Sequence, residues 1–240
     1  MTLWAYGLKQ HLKFMQIESH NNNIIKKPWG YEYLVYQDAN VALWFLYIAP
    51  NHKTSLHSHP KKTTGLIILD GKAQVDFFNN ENVLNKLDKI MIRKGMFHST
   101  TSISENGTKL FEIETPNDKL DLVRLEDSYG RKGLPYEDSS YENPKQDDCL
   151  WLENLSLYEN QKILFSNCNL SILNVKKITD LTCLEPQKNV MFLTGGIITD
   201  YEVLIVCPGD IVKIEILQKI ETVFNKIKEN TFVILFENLD

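Results

Sequence analysis

Residues 55–71 read SLHSHPKKTTGLIILDG and give the strongest indication of fold and chemistry in this chain. His57 and His59 stand two positions apart, so on a strand their side chains leave the same face, as two metal ligands would. The apolar run that follows ends at Asp70-Gly71, a pair that predicts a tight β-hairpin. The stretch therefore predicts β-structure with two imidazoles on one face.

A third histidine lies beyond another strand-like run. His98 follows the turn RKGMF, which comes after KIMI at 89–92. A small β-barrel can bring these two segments together with three imidazoles pointing inward. Neutral imidazole suits zinc, iron, copper, nickel or manganese, and three protein ligands with open positions are typical of a catalytic metal. The alternative is three ordinary surface or hydrogen-bonding histidines.

The histidines also indicate which half of the chain carries the chemistry. All six lie at or before His98, so a histidine-based metal site must be built by the first half. The second half can then support that site, bind something else or mediate assembly. His52 precedes the paired histidines in a predicted loop and is not assigned to the metal.

Bulk properties limit the classes of function. The 240 residues are 43% hydrophobic and 24% charged, which is ordinary for a globular protein of one large or two small domains. The net charge of −5 argues against a nucleic-acid or membrane-surface protein. Four cysteines without C-x-x-C spacing favour a reducing compartment. With no secretory leader or membrane span recognised, the sequence predicts a cytoplasmic protein.

Short apolar or alternating runs broken by turn residues predict an all-β, antiparallel sandwich or barrel. They occupy 41–49, 64–71, 72–78, 89–95 and 109–115, and then, after a polar stretch, 163–175, 189–196, 203–216 and 231–238. We therefore predict an N-terminal extension at 1–26, which combines a weakly helical opening with the linker-like run SHNNNIIKK. A first domain at 27–148 ends in a polar segment that wraps over it, and a second β domain covers 149–240.

Four motifs in order resemble the cupin superfamily, and more narrowly the cupin domain of type II mannose-6-phosphate isomerases. They are KPWGYEYLV at 27–35, SLHSHPKKTTGLIILDG at 55–71, LDKIMIRKGMFHS at 87–99, and FEIET followed by DLVRLEDSYGR at 121–131. The resemblance implies a double-stranded β-helix, the cupin jelly-roll barrel. Residues 149–240 resemble a degenerate second cupin, so that two tandem cupin-like units are expected.

The resemblance also implies a metal centre. It assigns His57, His59 and His98 as ligands of a divalent metal, such as Zn, Fe, Mn or Ni. At the position where the family places a glutamate ligand, this chain has Thr64. The arginine that isomerases carry beside that glutamate is absent as well, although Lys61 or Lys62 can replace its charge.

Two acids in a later strand are candidates to compensate. Glu112 and Glu114 alternate with Phe111 and Ile113, so both carboxylates point to one face. If that face is the barrel interior, one can ligate the metal or move a proton beside a sugar carbonyl. If the face is exposed, they are two ordinary acids, and a single alternating pair leaves both possibilities open.

Three basic residues are candidates for substrate binding. Arg124 and Arg131 lie in the tail that resembles the isomerases, where a guanidinium can hold a phosphate. The alternative for Arg124 is a salt bridge with Glu126 or Asp127. Lys62 can guard a pocket mouth for an anionic ligand, but a lysine in this loop is more simply a solvated charge.

Three functions follow. The first is a metal-dependent isomerase or epimerase acting on a sugar phosphate or nucleotide sugar in surface-polysaccharide synthesis. The second is a sugar-binding or regulatory bicupin without turnover, which Thr64 and the histidine-free second half favour. The third is an Fe(II)-dependent oxygenase. No nucleic-acid or membrane partner is expected, and the family resemblance implies a homodimer.

Overall fold

The computed structural model describes residues 23–134, 141–142 and 149–239, and shows an all-β protein with few helices. Its strands pair antiparallel and form two sheets in each half of the chain. The predicted fold class, a double-stranded β-helix, is thereby confirmed. No helix within the described residues has the length and apolar character needed to cross a membrane.

The first half forms a sandwich of a seven-stranded and a five-stranded sheet. Its strands are β1 (Ile24–Lys27), β2 (Gly30–Gln37), β3 (Ala42–Ile48), β4 (Leu56–Ser58), β5 (Thr63–Asp70), β6 (Ala73–Phe77), β7 (Glu81–Leu84), β8 (Lys89–Ile92), β9 (His98–Ser102), β10 (Thr108–Thr115), β11 (Val123–Glu126) and β12 (Tyr141–Glu142). The orders are β12-β1-β2-β3-β10-β5-β8 and β11-β4-β9-β6-β7.

The seven-stranded sheet is buried on both faces, which explains why its strands read as continuous apolar runs. In β3, Trp44 and Leu46 belong to the core between the two sheets of the first half. Leu43 and Phe45, which alternate with them, belong to a second core on the opposite face. That second core also contains residues of the second half of the chain, so the two halves share one apolar layer.

The second half is a smaller β unit with a five-stranded and a three-stranded sheet. Its strands are β13 (Lys162–Phe165), β14 (Cys168–Val175), β15 (Asn189–Phe192), β16 (Ile197–Ile198), β17 (Leu204–Val206), β18 (Ile211–Lys213), β19 (Lys226–Ile227) and β20 (Thr231–Asn238). The sheet orders are β13-β14-β20-β15-β18 and β17-β16-β19. A 3₁₀ helix (Leu155–Tyr158) and helices α1 (Thr179–Thr182) and α2 (Ile214–Glu221) accompany them.

The predicted hairpin at Asp70-Gly71 is wrong. The turn exists, with Gly71 at φ 80°, but β5 pairs with β8 and β10 whereas β6 pairs with β7 and β9. The turn therefore carries the chain from one sheet to the other. Local turn chemistry is the same in both cases, and the packing of the two sheets decides which strands pair.

Two further predictions need correction. The run at 203–216 is not one strand region throughout, because α2 begins at Ile214. The sequence IIKK, which was expected to be linker, forms β1 and pairs with β2. The helical opening predicted at the N-terminus lies outside the described residues.

The polar segment after β10 does pack on the first half where the structure describes it. β11 extends the five-stranded sheet beside β4, and Arg124 lies opposite His57 in that pairing. β12 extends the seven-stranded sheet beside β1. This segment therefore brings basic residues next to the strand that carries the paired histidines.

Candidate metal centre

The structure brings the three predicted histidine ligands together. His57 on β4 lies directly opposite His98 at the start of β9, and their ring centroids are 4.4 Å apart. His59 follows the end of β4, with its ring 4.9 Å from that of His57. One ring nitrogen from each of the three lies within 4.8 Å of the other two, so the cluster can hold a metal ion.

Backbone carbonyls fix the orientation of all three imidazoles. Nδ1 of His57 lies 2.7 Å from the carbonyl oxygen of Ser55, and Nδ1 of His98 lies 3.1 Å from that of Met96. Nδ1 of His59 lies 2.6 Å from the carbonyl oxygen of Asp121. A carbonyl can only accept, so each Nδ1 carries the proton and each Nε2 is left with its lone pair. This is the arrangement that metal-binding histidines require.

Burial keeps these imidazoles neutral. Desolvation lowers the pKa of His59 to about 4, and the nearby Lys62 adds to the effect. Desolvation likewise lowers the pKa of His98 to about 4, and that of His57 falls well below its usual value, with His98 contributing. Neutral imidazole is the form that binds metals, so at neutral pH no proton has to leave first.

A buried nitrogen atom of the cluster supports the fit of a metal ion. Nε2 of His59 is buried and has no hydrogen-bond partner. A buried polar atom without a partner is costly, and a bound cation would satisfy this lone pair. The donor set of three neutral imidazoles with fixed tautomers therefore fits a divalent transition metal.

Strand register places both candidate acids inside the barrel. In β10, Leu110 belongs to the core between the two sheets, whereas Phe111 and Ile113 belong to the core shared with the second half. Glu112 and Glu114 follow the parity of Leu110 and line a cavity together with His57 and His59. A carboxylate oxygen of each lies within 4.8 Å of a ring nitrogen of His59. Of the two possibilities left open by the sequence, the structure shows the first: both carboxyl groups face the barrel interior.

Lys62 is not a solvated loop charge. Its side chain is 1% exposed, and its Nζ lies 2.7 Å from Oε1 of Glu114, whose side chain is 2% exposed. The loop is held in place by Asp121, whose Oδ2 accepts hydrogen bonds from the backbone amides of Lys61 and Lys62. The ion pair offsets the cost of burying the ammonium group.

The two acids differ in protonation. Burial alone would raise the pKa of Glu114, but Lys62, Lys119 and His59 together outweigh it and hold that pKa below its usual value. Desolvation raises the pKa of Glu112 to about 8, and the charge of Glu114 adds to the rise. At neutral pH, Glu114 is therefore a carboxylate and Glu112 is largely protonated, with a pKa suited to proton transfer.

The cavity that contains these groups has an empty volume of about 490 Å³, including its mouth. Its lining carries five basic and three acidic side chains, so it favours an anionic ligand. The basic ones are Lys27, Lys62, Lys119, Arg124 and Arg131, and the acidic ones are Glu32, Glu112 and Glu114. All three residues predicted to bind substrate are therefore present.

The salt bridge to Asp127 that was the alternative for Arg124 is formed by Arg131. Arg131 is the residue that contacts Asp127, with Nη2 2.6 Å and Nε 3.1 Å from Oδ1. Arg124 donates from Nη1 to the carbonyl oxygen of Leu134 at 2.9 Å. Both guanidinium groups are mostly buried and held at the cavity wall, although Arg131, the predicted phosphate ligand, also has Asp127 as a partner.

Sequence reasoning missed a second charged group in the cavity. Glu32 on β2 lies 3.2 Å from Lys119 and 3.8 Å from Lys27, so two ammonium groups share one carboxylate. Lys119 also lies over the ring of Trp44, 3.6 Å from its centroid. The position of Glu32 within the mostly apolar strand GYEYLVYQ could have indicated a buried charged residue. Lys27 ends β1 and Lys119 lies in a turn, and the sequence around neither lysine indicates a buried charge.

Thr64 is buried, as expected for a position in the metal-site strand. It lies on β5 directly opposite Glu114 on β10, so the two side chains share a face. Its hydroxyl oxygen is buried without a hydrogen-bond partner. The place of the family's glutamate is therefore occupied by a threonine whose cross-strand neighbour is an acid.

A comparison with protein-family models supports the resemblance inferred from the motifs. Residues 15–127 match the model of the mannose-6-phosphate isomerase C-terminal domain. This range contains the three histidines and both acids of the centre. The resemblance of the first half of the chain to the cupin domain of these isomerases is thereby confirmed. No match was found among curated proteins.

Many solved structures resemble part of the chain. A double-stranded β-helix protein of Klebsiella pneumoniae is 14% identical, with 45% of this chain and 88% of that one covered and a TM-score of 0.38. An RmlC-like cupin of Shewanella frigidimarina is 13% identical, with 41% and 87% covered and a TM-score of 0.38. The capsular polysaccharide assembling protein CapF of Staphylococcus aureus is 18% identical, with 43% and 34% covered and a TM-score of 0.37.

Proposed function

We propose that this cupin is a metal-dependent enzyme that isomerises or epimerises a sugar phosphate or a nucleotide sugar, and that it acts in surface-polysaccharide synthesis. One observation carries the proposal. Three imidazoles converge on one point, two of them in the cavity lining, and a carboxyl group with a pKa of about 8 lines the same cavity. Sugar isomerisation needs both a Lewis acid and a proton-transfer group close together.

His57, His59 and His98 would hold the metal through Nε2, because each Nδ1 is engaged with a backbone carbonyl. A bound divalent metal supplies polarisation of a sugar carbonyl, which acidifies the adjacent C–H bond. The fixed imidazoles contribute by holding this centre at one end of the cavity, beside the acids of β10.

Glu112 is the proton-transfer group in this proposal. It lies on the interior face of β10, half-buried, with its carboxyl group within 4.8 Å of a ring nitrogen of His59. A carboxyl group with a pKa of about 8 is readily protonated and deprotonated near neutral pH. It can therefore take a proton from one carbon of the sugar and return it to the neighbouring carbon.

The basic wall would bind the anionic end of the substrate. Arg124 and Arg131 present planar guanidinium groups, which suit a phosphate oxygen pair. Lys119 and Lys27 add charge around Glu32. Lys62 points its ammonium group toward Glu114 and so serves the centre rather than the substrate.

The direct test is turnover. Protein loaded separately with Zn, Mn, Fe(II) or Ni is incubated with hexose and heptose phosphates in D₂O, and aldose–ketose interconversion and deuterium incorporation at the carbon next to the carbonyl are followed by NMR. Metal-dependent incorporation that is lost in Glu112→Gln and retained in His52→Ala supports the proposal. His52 is an exposed turn residue outside the cavity lining. Absence of turnover and exchange with every metal and sugar overturns it.

The second candidate is a sugar-binding bicupin without turnover. Thr64 at the glutamate position and the ammonium of Lys62 beside the histidines favour it, because both reduce the negative charge at the metal. Saturable binding of a sugar phosphate by calorimetry, with no exchange in the same samples, would identify this function. An iron oxygenase would instead consume O₂ after loading with Fe(II).

A further inference from the structure

Two buried atoms of the candidate metal centre have no hydrogen-bond partner, and the metal ligands named above include only one of them. Oε2 of Glu114 and Nε2 of His59 are both buried, and neither has a hydrogen-bond partner in the structure. The side chains that carry them are almost fully withdrawn from solvent. With Nδ1 of His59 protonated by its bond to Asp121, both orphan atoms are acceptors. Two acceptors cannot satisfy each other, so both lack a donor or a cation.

The two residues lie close enough to share a cation. A carboxylate oxygen of Glu114 and a ring nitrogen of His59 lie within 4.8 Å of each other. Oxygen and nitrogen ligands stand about 2.0–2.2 Å from a metal such as zinc, so two ligands of one ion lie roughly 3–4.4 Å apart. A small side-chain adjustment is enough to bring the pair within that range.

Lys62 fixes which oxygen of the carboxylate is available. Its ammonium group donates to Oε1 at 2.7 Å, and the backbone of residue 62 is anchored by Asp121. Oε1 is therefore engaged, and Oε2 is directed away from the lysine with no partner. The backbone carbonyl of Asp121 also accepts from Nδ1 of His59, so Asp121 positions both the backbone of Lys62 and the ring of His59.

We propose that Glu114 is the acidic member of the metal centre, in the place where Thr64 leaves the centre without one, and that Lys62 is a positioning residue that orients it. This inference deepens the proposed function and rests on its metal centre. Thr64 and Glu114 lie directly opposite each other on adjacent strands. The Cβ atoms of such a pair stand about 4.5–5.5 Å apart, so an acid on β10 can reach the metal position that an acid on β5 would reach.

The test measures metal affinity, without substrate. Wild-type protein, stripped with chelator, is titrated with Zn²⁺ and Co²⁺ against a chromophoric competitor, and the cobalt spectrum reports the ligand set. Removing Glu114 alone would leave Lys62 buried without a partner, so the comparison is made between Lys62→Met and the double variant Lys62→Met/Glu114→Gln. In both, the buried ammonium is gone.

Lys62→Met is expected to keep measurable affinity, and the added Glu114→Gln change is expected to weaken it roughly 10–100-fold and to alter the cobalt spectrum. Lys62→Met/Glu126→Gln is the matched control, because Glu126 is an exposed acid of β11 outside the cavity lining, and it should stay within about threefold of Lys62→Met. Equal affinity of Lys62→Met and Lys62→Met/Glu114→Gln overturns the inference, as does a wild-type protein that binds neither metal.

The outcome is separable from that of the proposed function. Metal-dependent turnover, together with a metal affinity that Glu114→Gln does not change, would show that Glu114 is not a metal ligand. The proposed isomerase activity would still stand. A metal affinity that depends on Glu114, without turnover of any sugar, would support the metal centre and contradict the proposed isomerase activity.

Discussion

Lys62 and Glu114 form an ion pair, 2.7 Å from Nζ to Oε1, in the interior of the barrel, with side chains 1% and 2% exposed. Glu114 lies on β10, and Lys62 directly precedes β5, the strand that pairs with β10. A pair this deeply buried is held by its mutual charge, since each partner alone would be an uncompensated ion. The pair therefore links the stability of the barrel to the electrostatics of the metal centre.

Removing only the acid of this pair should destabilise the protein. Glu114→Gln leaves Lys62 buried without a counter-charge, so we expect the free energy of unfolding to fall by about 3–5 kcal/mol, measured by urea titration of metal-free protein. The double variant Lys62→Met/Glu114→Gln should regain most of that loss. Lys61→Met, an exposed neighbour, should stay within about 0.5 kcal/mol of wild type. A double variant no more stable than Glu114→Gln would contradict a compensated buried pair.

Metal content should depend on the histidine cluster. His57→Ala/His98→Ala removes two of the three converging imidazoles, so protein purified without added metal should carry far less metal than wild type by elemental analysis. His52→Ala is the control, because its Nδ1 bonds to Pro50 and its ring lies outside the cluster. Equal metal in the wild type and the double variant would show that the cluster is not a metal site.

The metal-site motifs could be predicted because their information is local. The spacing of His57 and His59 fixes a shared face, and the strand-turn unit before His98 fixes a second inward-facing segment. Short apolar or alternating runs, broken by turn residues, also predicted most of the described strands, because both patterns are read directly from the sequence. The strand-to-strand pairing at Asp70-Gly71 could not be predicted, because the same turn serves a hairpin and a crossing between sheets.

The charges in the cavity were harder to predict. A lysine in HPKKTTG has the composition of a solvated loop, and its burial depends on Glu114 and Asp121, each more than fifty residues away. The face of Glu112 was undetermined because the sheet is apolar on both sides. Only the packing of the second half against Phe111 shows which face is the interior.

The pH dependence of stability should report the state of Glu112. Its folded-state pKa, about 8, exceeds the usual 4.5, so between these values the folded protein holds a proton that the unfolded chain has released. The unfolded state then binds fewer protons, and stability falls as pH rises from about 4.5 to 8. Urea titrations of metal-free protein from pH 5 to 8.5 should show wild type losing stability relative to Glu112→Gln. A constant difference would contradict the raised pKa.

The second half should unfold together with the metal-site half. Phe236 on β20 is fully buried, with its ring centroid 6.2 Å from that of Phe111 on β10, in the apolar layer that both halves share. Phe236→Ala should lower the free energy of unfolding by about 3–5 kcal/mol. Because the shared layer couples the two halves, metal release and loss of β-sheet circular dichroism should follow one common transition.

The control for this coupling is a truncation on the outer surface of the second half. Val223→Ala alters a side chain that is 72% exposed, so it should shift the transition by no more than about 0.5 kcal/mol. Two separate transitions in Phe236→Ala, with metal retained after the second half has melted, would contradict a single cooperative unit. The second half would then be an independent domain attached to a self-sufficient barrel, and the apolar outer face of β10 would need another explanation for its composition.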